Sequence, residues 1–480
     1  MAAHVEEAVD ITNSSFQVIV LGAGGGPMED NCTALLVRST RQGWTKGSLL
    51  AVDAGVHLSA IDRLLRHYDP LPSERPHKLH SGVLSGLLLP HKTTAANSAH
   101  IARNIVGAHL ITHPHLDHIS GGIISTACPS SKPRKIAGLP STIEALKNHI
   151  FNDVIWPNLS DEDGGVGLVT FMRLNSGGSS VLGDGVTKGY MEVAEGLCVK
   201  SWEVSHGNCA GDFPYHNLHA GSESPSSPVP PRRPSIQSQR GYPTPLPSEH
   251  TFKSGDTPNL SSTNPHRARA YTSSAFFIHD VASGEEILIW GDVEPDSISS
   301  HPRNKQVWID AAPKIATGKL KGIFIECSYD DSRPDEMLFG HLNPRYVIEE
   351  LEVLAAEVET YRDHGGLRYR CGSSPSPTSD LTYTQKPTAL REREKREPGG
   401  RPSSWLSTAR KNPGGGSVSC NHSRGYPLKG VKVVLIHLKE RLDDGEELKD
   451  VILREIKGYE ENVKLGCEFL VSEHGMSVHF

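Results

Sequence analysis

The chain has 480 residues, 36% of them hydrophobic, which is enough apolar material to bury a sizeable core. Its 49 Lys and Arg against 56 Asp and Glu leave a net charge of −7, so no global positive field exists to hold a nucleic-acid polymer. The eight cysteines form no CxxC pair and fit a reducing compartment, and no apolar stretch approaches the length of a membrane span, so a cytoplasmic protein without a membrane partner is expected.

In chain order, Phe16–Leu21, Thr33–Val37 and Ser48–Val52 are short, aliphatic and bounded by Gly, Asn or Asp. They read as strands and are expected at sheet edges. Gly22-Ala-Gly-Gly-Gly26 after the first strand is a poor dinucleotide fingerprint, because Pro27 replaces the third glycine and no helix pattern follows at once. The better reading is a tight turn beside the functional site. Asp53 reads first as a strand-end turn residue, and second as a carboxylate that orients a neighbouring ligand. Helices are expected over Leu58–Arg66, Ala95–Val106 and Ser141–Phe151, the last with Ser141 and Glu144 as a capping box.

The apolar run His109-Leu-Ile-Thr112 ends in His113-Pro-His115-Leu-Asp117-His118, which packs four candidate metal ligands into six positions. A strand running into an irregular loop can aim alternate side chains at one point, so His113 and His115 can grip one ion while Asp117 and His118 serve a second. Imidazole nitrogen with carboxylate oxygen suits zinc, and also iron or manganese; calcium and magnesium would want more oxygen. Further candidates close later apolar segments: His206 after Leu197–Ser205, Asp292 after Glu286–Gly291 and His437 after Val431–Ile436. Together they give His113, His115 and His206 to one metal, Asp117, His118 and His437 to the other, and Asp292 to both as a bridge.

Two stretches break the core pattern. Residues 211–270 are rich in Pro, Ser and Thr, and residues 364–429 are Pro/Gly/Ser-rich with twelve Lys or Arg against four Asp or Glu. Both are expected to be disordered insertions in a single hydrolase domain spanning 16–480. The Pro-rich and basic segments are also where protein partners would bind. Between them, Ser273–Ile278 and Ile287–Trp290 read as a hairpin delivering Asp292, and Gly322–Ile325 as a buried strand. His341-Leu-Asn-Pro344 opens a helix in which Val347, Leu351, Leu354 and Val358 recur at helical spacing. The helix dipole should lower the pKa of His341, making it a proton donor only with a phosphoryl anion bound.

The HxHLDH cluster followed by Ile119–Ile124 is one of several such elements. Ser205-His-Gly207, Gly291–Asp296, Glu326-Cys-Ser328, Gly340-His-Leu-Asn-Pro344 and Ile436-His-Leu-Lys439 follow it in order. Together they resemble the class II cyclic-nucleotide phosphodiesterases, the fungal low-affinity cAMP phosphodiesterases of the metallo-β-lactamase superfamily. HxHxDH alone indicates only the superfamily; the Leu inside it and the later elements narrow it to this branch. The resemblance implies an α/β fold, an αββα metallo-β-lactamase-like sandwich, with a dinuclear site at the strand ends. It implies hydrolysis of 3′,5′-cyclic nucleotides, cAMP foremost, to 5′-monophosphates, which lowers cyclic-nucleotide signalling. Two divalent ions, zinc foremost, would activate the attacking water and Asp292 would hold them together. His341 would protonate the departing 3′ oxygen. The competing readings are another phosphodiesterase, thioester hydrolase or lactamase on the same metal cage, and a non-catalytic signalling scaffold that keeps the fold.

Overall fold

The structure is a computed structural model that describes residues 14–69, 76–128, 130, 132–179, 181–183, 185–208, 270–364 and 426–480. Among these, two seven-stranded sheets stack face to face. In spatial order the first sheet is Ser477–His479, Phe16–Gly22, Ala34–Ser39, Leu49–Val52, Val106–Leu110, Arg134–Gly138 and Val169–Arg173. The second is Glu468–Val471, Lys432–Ile436, Leu320–Glu326, Glu286–Trp290, Ala270–Asp280, Leu197–Asn208 and Met191–Ala194.

Strand Phe16–Gly22 shows why the aliphatic runs are continuous rather than alternating. Phe16, Val18 and Val20 join the core between the sheets with Phe276, Ile278, Ile287, Ile289 and Phe324, whereas Ile19 and Leu21 point outward into a second core under helix Leu58–Tyr68. A strand covered on both faces needs apolar residues at every position. The second sheet repeats the pattern: Phe277, Leu288, Ile323 and Val433 face helices Asn304–Ala316, Pro344–Asp363 and Leu448–Val463. Helix Leu58–Tyr68 buries Ala60, Ile61, Leu64 and Leu65, and Pro344–Asp363 buries Val347, Leu351, Leu354 and Val358, both at the spacing of one helical stripe. The result is the expected αββα sandwich.

Several local expectations are corrected. The first three strands are interior, not edges, because Ser477–His479 pairs outside Phe16–Gly22 and Val106–Leu110 pairs beyond Leu49–Val52. The helix expected over Ala95–Val106 is α-helical only over Thr94–His100. It widens to a π-turn at Ile101–Ile105, and Val106 already begins a strand. No capping box forms at Ser141: the cap position is Leu139, Pro140 takes the first helical turn, and Glu144 bonds Arg173 instead. The hairpin through Ala270–Asp280 and Glu286–Trp290 forms, and the helix after Asn343 forms. Nearly all of 211–270 and 364–429 lies outside the described residues. Their edges belong to the core, since Ala270 pairs with Asn208 and Leu428 is fully buried. No helix among the described residues is long and apolar enough to cross a membrane.

Candidate metal centre

The candidate ligands gather where strands of the two sheets end. Val106–Leu110 runs into an irregular segment carrying His113 and His115, and helix Leu116–Ser125 follows at once, so Asp117 and His118 occupy its first turn. His206 lies within strand Leu197–Asn208 rather than beyond it; a register shift between Ser205 and Asn208 breaks the ladder there and re-aims the side chain. Asp292 follows Trp290 by two residues, and His437 follows Ile436 directly. His437 and Asp53 both adopt left-handed φ values, of 61° and 55°, a backbone state that non-glycine residues hold mainly where the surroundings enforce it.

Asp292 is the focus. Its Oδ1 lies 3.2 Å from His118 Nε2, and its Oδ2 lies 3.2 Å from His437 Nε2, 3.5 Å from His206 Nε2 and 3.6 Å from His113 Nε2. His113, His115, His206 and Asp292 each bring a ligand atom to within 4.8 Å of the others, and so do Asp117, His118, Asp292 and His437. All the candidate residues from the sequence, including His341, are thus brought to one place.

The outer nitrogens of four rings are already committed. His118 Nδ1 donates to Asp53 Oδ2 at 2.8 Å and His206 Nδ1 to the Gly340 carbonyl at 2.8 Å. His437 Nδ1 lies 2.7 Å from Thr33 Oγ1, whose own proton goes to the Gly24 carbonyl. His113 Nδ1 lies 3.1 Å from Thr112 Oγ1, which donates to Asp53. Each ring therefore keeps its proton on Nδ1 and turns the Nε2 lone pair inward.

That arrangement tests whether the residues fit a cation. His113 Nε2, His118 Nε2 and Asp292 Oδ1 are buried with no hydrogen-bond partner. Acceptors facing acceptors in a dry site are costly unless a positive charge lies among them. Burial holds His113 and His437 below the ordinary histidine value and takes His206 down to about 3, so these rings stay neutral and able to ligate. Burial also opposes charge on His118, but the Asp292 and Asp53 carboxylates outweigh it and raise that ring. Asp292 is held well below the carboxylate range by His437, His118 and His113 against the opposing effect of burial. One proton on His118 answers one oxygen of Asp292 and leaves the other inward lone pairs unmet, whereas divalent cations meet them all.

Two further carboxylates complete the cluster. Asp53, read first as a turn residue and second as a carboxylate orienting a ligand, takes the second role: it is the partner that orients His118. Glu326, at the end of Leu320–Glu326, is fully buried and accepts from Val293 N at 2.9 Å and Ser328 Oγ at 2.6 Å. Its Oε1 lies 2.9 Å from His341 Nδ1. Burial, then the Asp292 charge, pushes the Glu326 carboxyl up to about 7, while burial takes His341 down to about 3. Burial is the leading cause of the lowering of His341. Lys439 Nζ donates to the Gly25 carbonyl at 2.9 Å and sits 3.9 Å from Asp117 Oδ2, adding a cation to the rim. Gly25 permits the turn expected there: a Cβ on it would lie 2.5 Å from His437 Nε2.

A histidine–aspartate cluster able to hold metal, at the strand ends of an αββα sandwich, is the arrangement of the metallo-β-lactamase fold. The sequence pattern of the class-II cAMP phosphodiesterases matches residues 16–215 and 246–367. The chain belongs to this family and is an enzyme of the cyclic-nucleotide phosphodiesterase class. It is 26% identical over 362 residues to the 3′,5′-cyclic-nucleotide phosphodiesterase of Schizosaccharomyces pombe, spanning 74% of this chain and 80% of that protein. It is also 26% identical over 387 residues to 3′,5′-cyclic-nucleotide phosphodiesterase 1 of Saccharomyces cerevisiae, spanning 73% and 86%. Unliganded yeast PDE1 shares the fold, with a TM-score of 0.61 at 21% identity over 97% of this chain and 100% of that one. The family match ends before His437, so the place of that residue in the cluster rests on geometry.

Proposed function

We propose that the chain hydrolyses cAMP to 5′-AMP with two divalent cations. His113, His115 and His206 would hold one, Asp117, His118 and His437 the other, and Asp292 both. Zinc is the ion this set of nitrogen and carboxylate donors favours. The observation that carries the reading is the Asp292 carboxylate at 3.2–3.6 Å from four imidazole Nε2 atoms whose outer nitrogens are tied elsewhere. Bound there, divalent cations supply Lewis acidity, making a water nucleophilic at neutral pH and neutralising charge on phosphoryl oxygens.

The chain's own residues do the rest. Asp53, Thr33, Thr112 and the Gly340 carbonyl fix the imidazole tautomers before substrate arrives. With the phosphoryl anion of the substrate bound to offset the effect of burial, His341 takes up a second proton and gives it from Nε2 to the departing 3′ oxygen. Glu326 is its positioning residue: it takes the Nδ1 proton in a hydrogen bond and stabilises the ring while it is charged. Lys439 contributes positive charge beside the phosphoryl group.

The test is incubation of the purified protein with cAMP and with cGMP, with and without chelator, following the products. Formation of 5′-AMP that stops with chelator and returns with Zn²⁺ supports the reading. Turnover indifferent to chelator, or a 3′-monophosphate product, overturns it.

A further inference from the structure

The metal cluster explains where a phosphoryl group goes but not what holds the rest of a nucleotide. A cavity of about 290 Å³ abuts the cluster and shares His115, His206 and His341 with it. A larger one of about 520 Å³, lined by Lys46, Lys132 and Lys135, shares no residue with the candidate metal ligands.

The cavity beside the metals has an uneven chemical lining. Tyr271 and Phe339 both line it, and both are exposed, at 43% and 38%, although large aromatic rings are ordinarily covered. Each is tied to a residue of the centre. Tyr271 packs edge-on against the His115 ring at a centroid distance of 5.6 Å. Phe339 precedes Gly340, whose carbonyl orients His206, and Gly340 precedes His341. Phe339 also adopts a left-handed φ of 53°, which a side chain of this size holds only when the surrounding structure dictates it. The acidic residues in the lining are Glu294, Asp335 and Glu336, with no Lys or Arg among the described lining residues; Asp335 is paired with Arg345 and Glu294 accepts from Ser299 Oγ, which leaves Glu336 as the main source of negative charge. Carboxylates repel a phosphate and accept from the amino group of a purine. The phosphoryl group is thereby directed to the cations and Lys439, and the neutral base to the cavity.

Resting on the proposed cyclic-nucleotide activity, we infer that this cavity is the base subsite, in which Phe339 and Tyr271 stack on the purine and set specificity for it. Stacking on aromatic rings tolerates either purine. The carboxylates act on what the two bases share, an exocyclic amino group.

The test compares kcat/KM for cAMP with kcat/KM for the 3′,5′-cyclic phosphate of methyl riboside, which keeps the reacting ring and lacks the base. The wild-type enzyme should prefer cAMP, and the ratio should fall by about tenfold in Phe339→Ala and in Tyr271→Ala, mainly through KM for cAMP. Phe339→Tyr and Tyr271→Phe, which keep the rings, should restore it. A ratio unchanged in both alanine variants, or both substrates falling in the same proportion, overturns the subsite. Failure of the underlying activity looks different, because the wild-type protein would then hydrolyse neither cyclic phosphate.

Discussion

Asp53 Oδ2 lies 2.8 Å from His118 Nδ1, while the same ring turns Nε2 to within 3.2 Å of Asp292. The two carboxylates sit at the two nitrogens of one imidazole, so the charge on Asp53 governs how strongly His118 can donate to a cation. Asp53→Asn keeps the shape and removes the charge. Metal affinity should fall by about 10–100-fold, read by competition with a chelating dye. An unchanged affinity would return Asp53 to a purely structural role.

Gly25→Ala tests how tightly the turn is built against the centre. The added methyl would meet His437 Nε2 at 2.5 Å, and the Gly25 backbone is already fixed by its N–H on the Leu438 carbonyl, so the imidazole must yield. A displacement of that order costs about 10²-fold in kcat/KM, with little change in thermal stability because the ring is at the site rather than in the core. Kinetics and a thermal melt on the same preparation would check this. Activity within twofold of wild type would mean His437 is not needed where it stands.

His341 and Glu326 should separate chemistry from metal binding. His341→Ala is expected to keep its metal and lose about 10²–10⁴-fold in kcat, with KM much less affected. Glu326→Gln should lose less and shift the pH profile of kcat, which a merely structural defect would not do. Elemental analysis beside the pH–rate curve distinguishes the two, and a loss of metal in His341→Ala would reassign that residue as a ligand.

Away from the site, His57 and His109 are buried with their Nε2 atoms 3.0 Å apart. Burial, then the Arg134 charge, takes His57 from 6.5 down to about 3 and His109 well below its ordinary value. In the unfolded chain both rings take up protons below about 6.5. Stability from keeping them neutral is therefore complete above that pH and is lost as pH falls toward 3. Melting temperature should drop from pH 7 to pH 5, and less steeply in His57→Leu than in wild type. Parallel curves for the two proteins would contradict the assignment.

The candidate metal ligands were legible because they fall at the ends of apolar runs, and because three histidines and an aspartate within six residues are hard to explain as ordinary loop chemistry. Asp53 was legible only as a second reading, and the role of Glu326 not at all, since a carboxylate that serves a histidine 65 or 15 residues away looks in sequence like any acid at a strand end. The sandwich was expected from the family resemblance and not from the aliphatic runs, which read as edge strands, and the strand order was not legible: the pairing of Phe16–Gly22 with Ser477–His479 joins residues more than four hundred positions apart. The capping box at Ser141 matched a local pattern and lost to Pro140, which started the helix earlier and freed Glu144 for Arg173. The aromatic lining of the cavity carries no motif, because Tyr271, on strand Ala270–Asp280, and Phe339, after strand Leu320–Glu326, come to one cavity only once the second sheet is assembled.

Asp292 is the proposed shared ligand of two cations, and counting metal in wild type and Asp292→Ala by elemental analysis tests that role most directly. The wild-type protein should carry about two ions per chain, and Asp292→Ala no more than about one, with cAMP hydrolysis below about 1% of wild type. A variant that keeps its full metal complement and its activity would contradict the account.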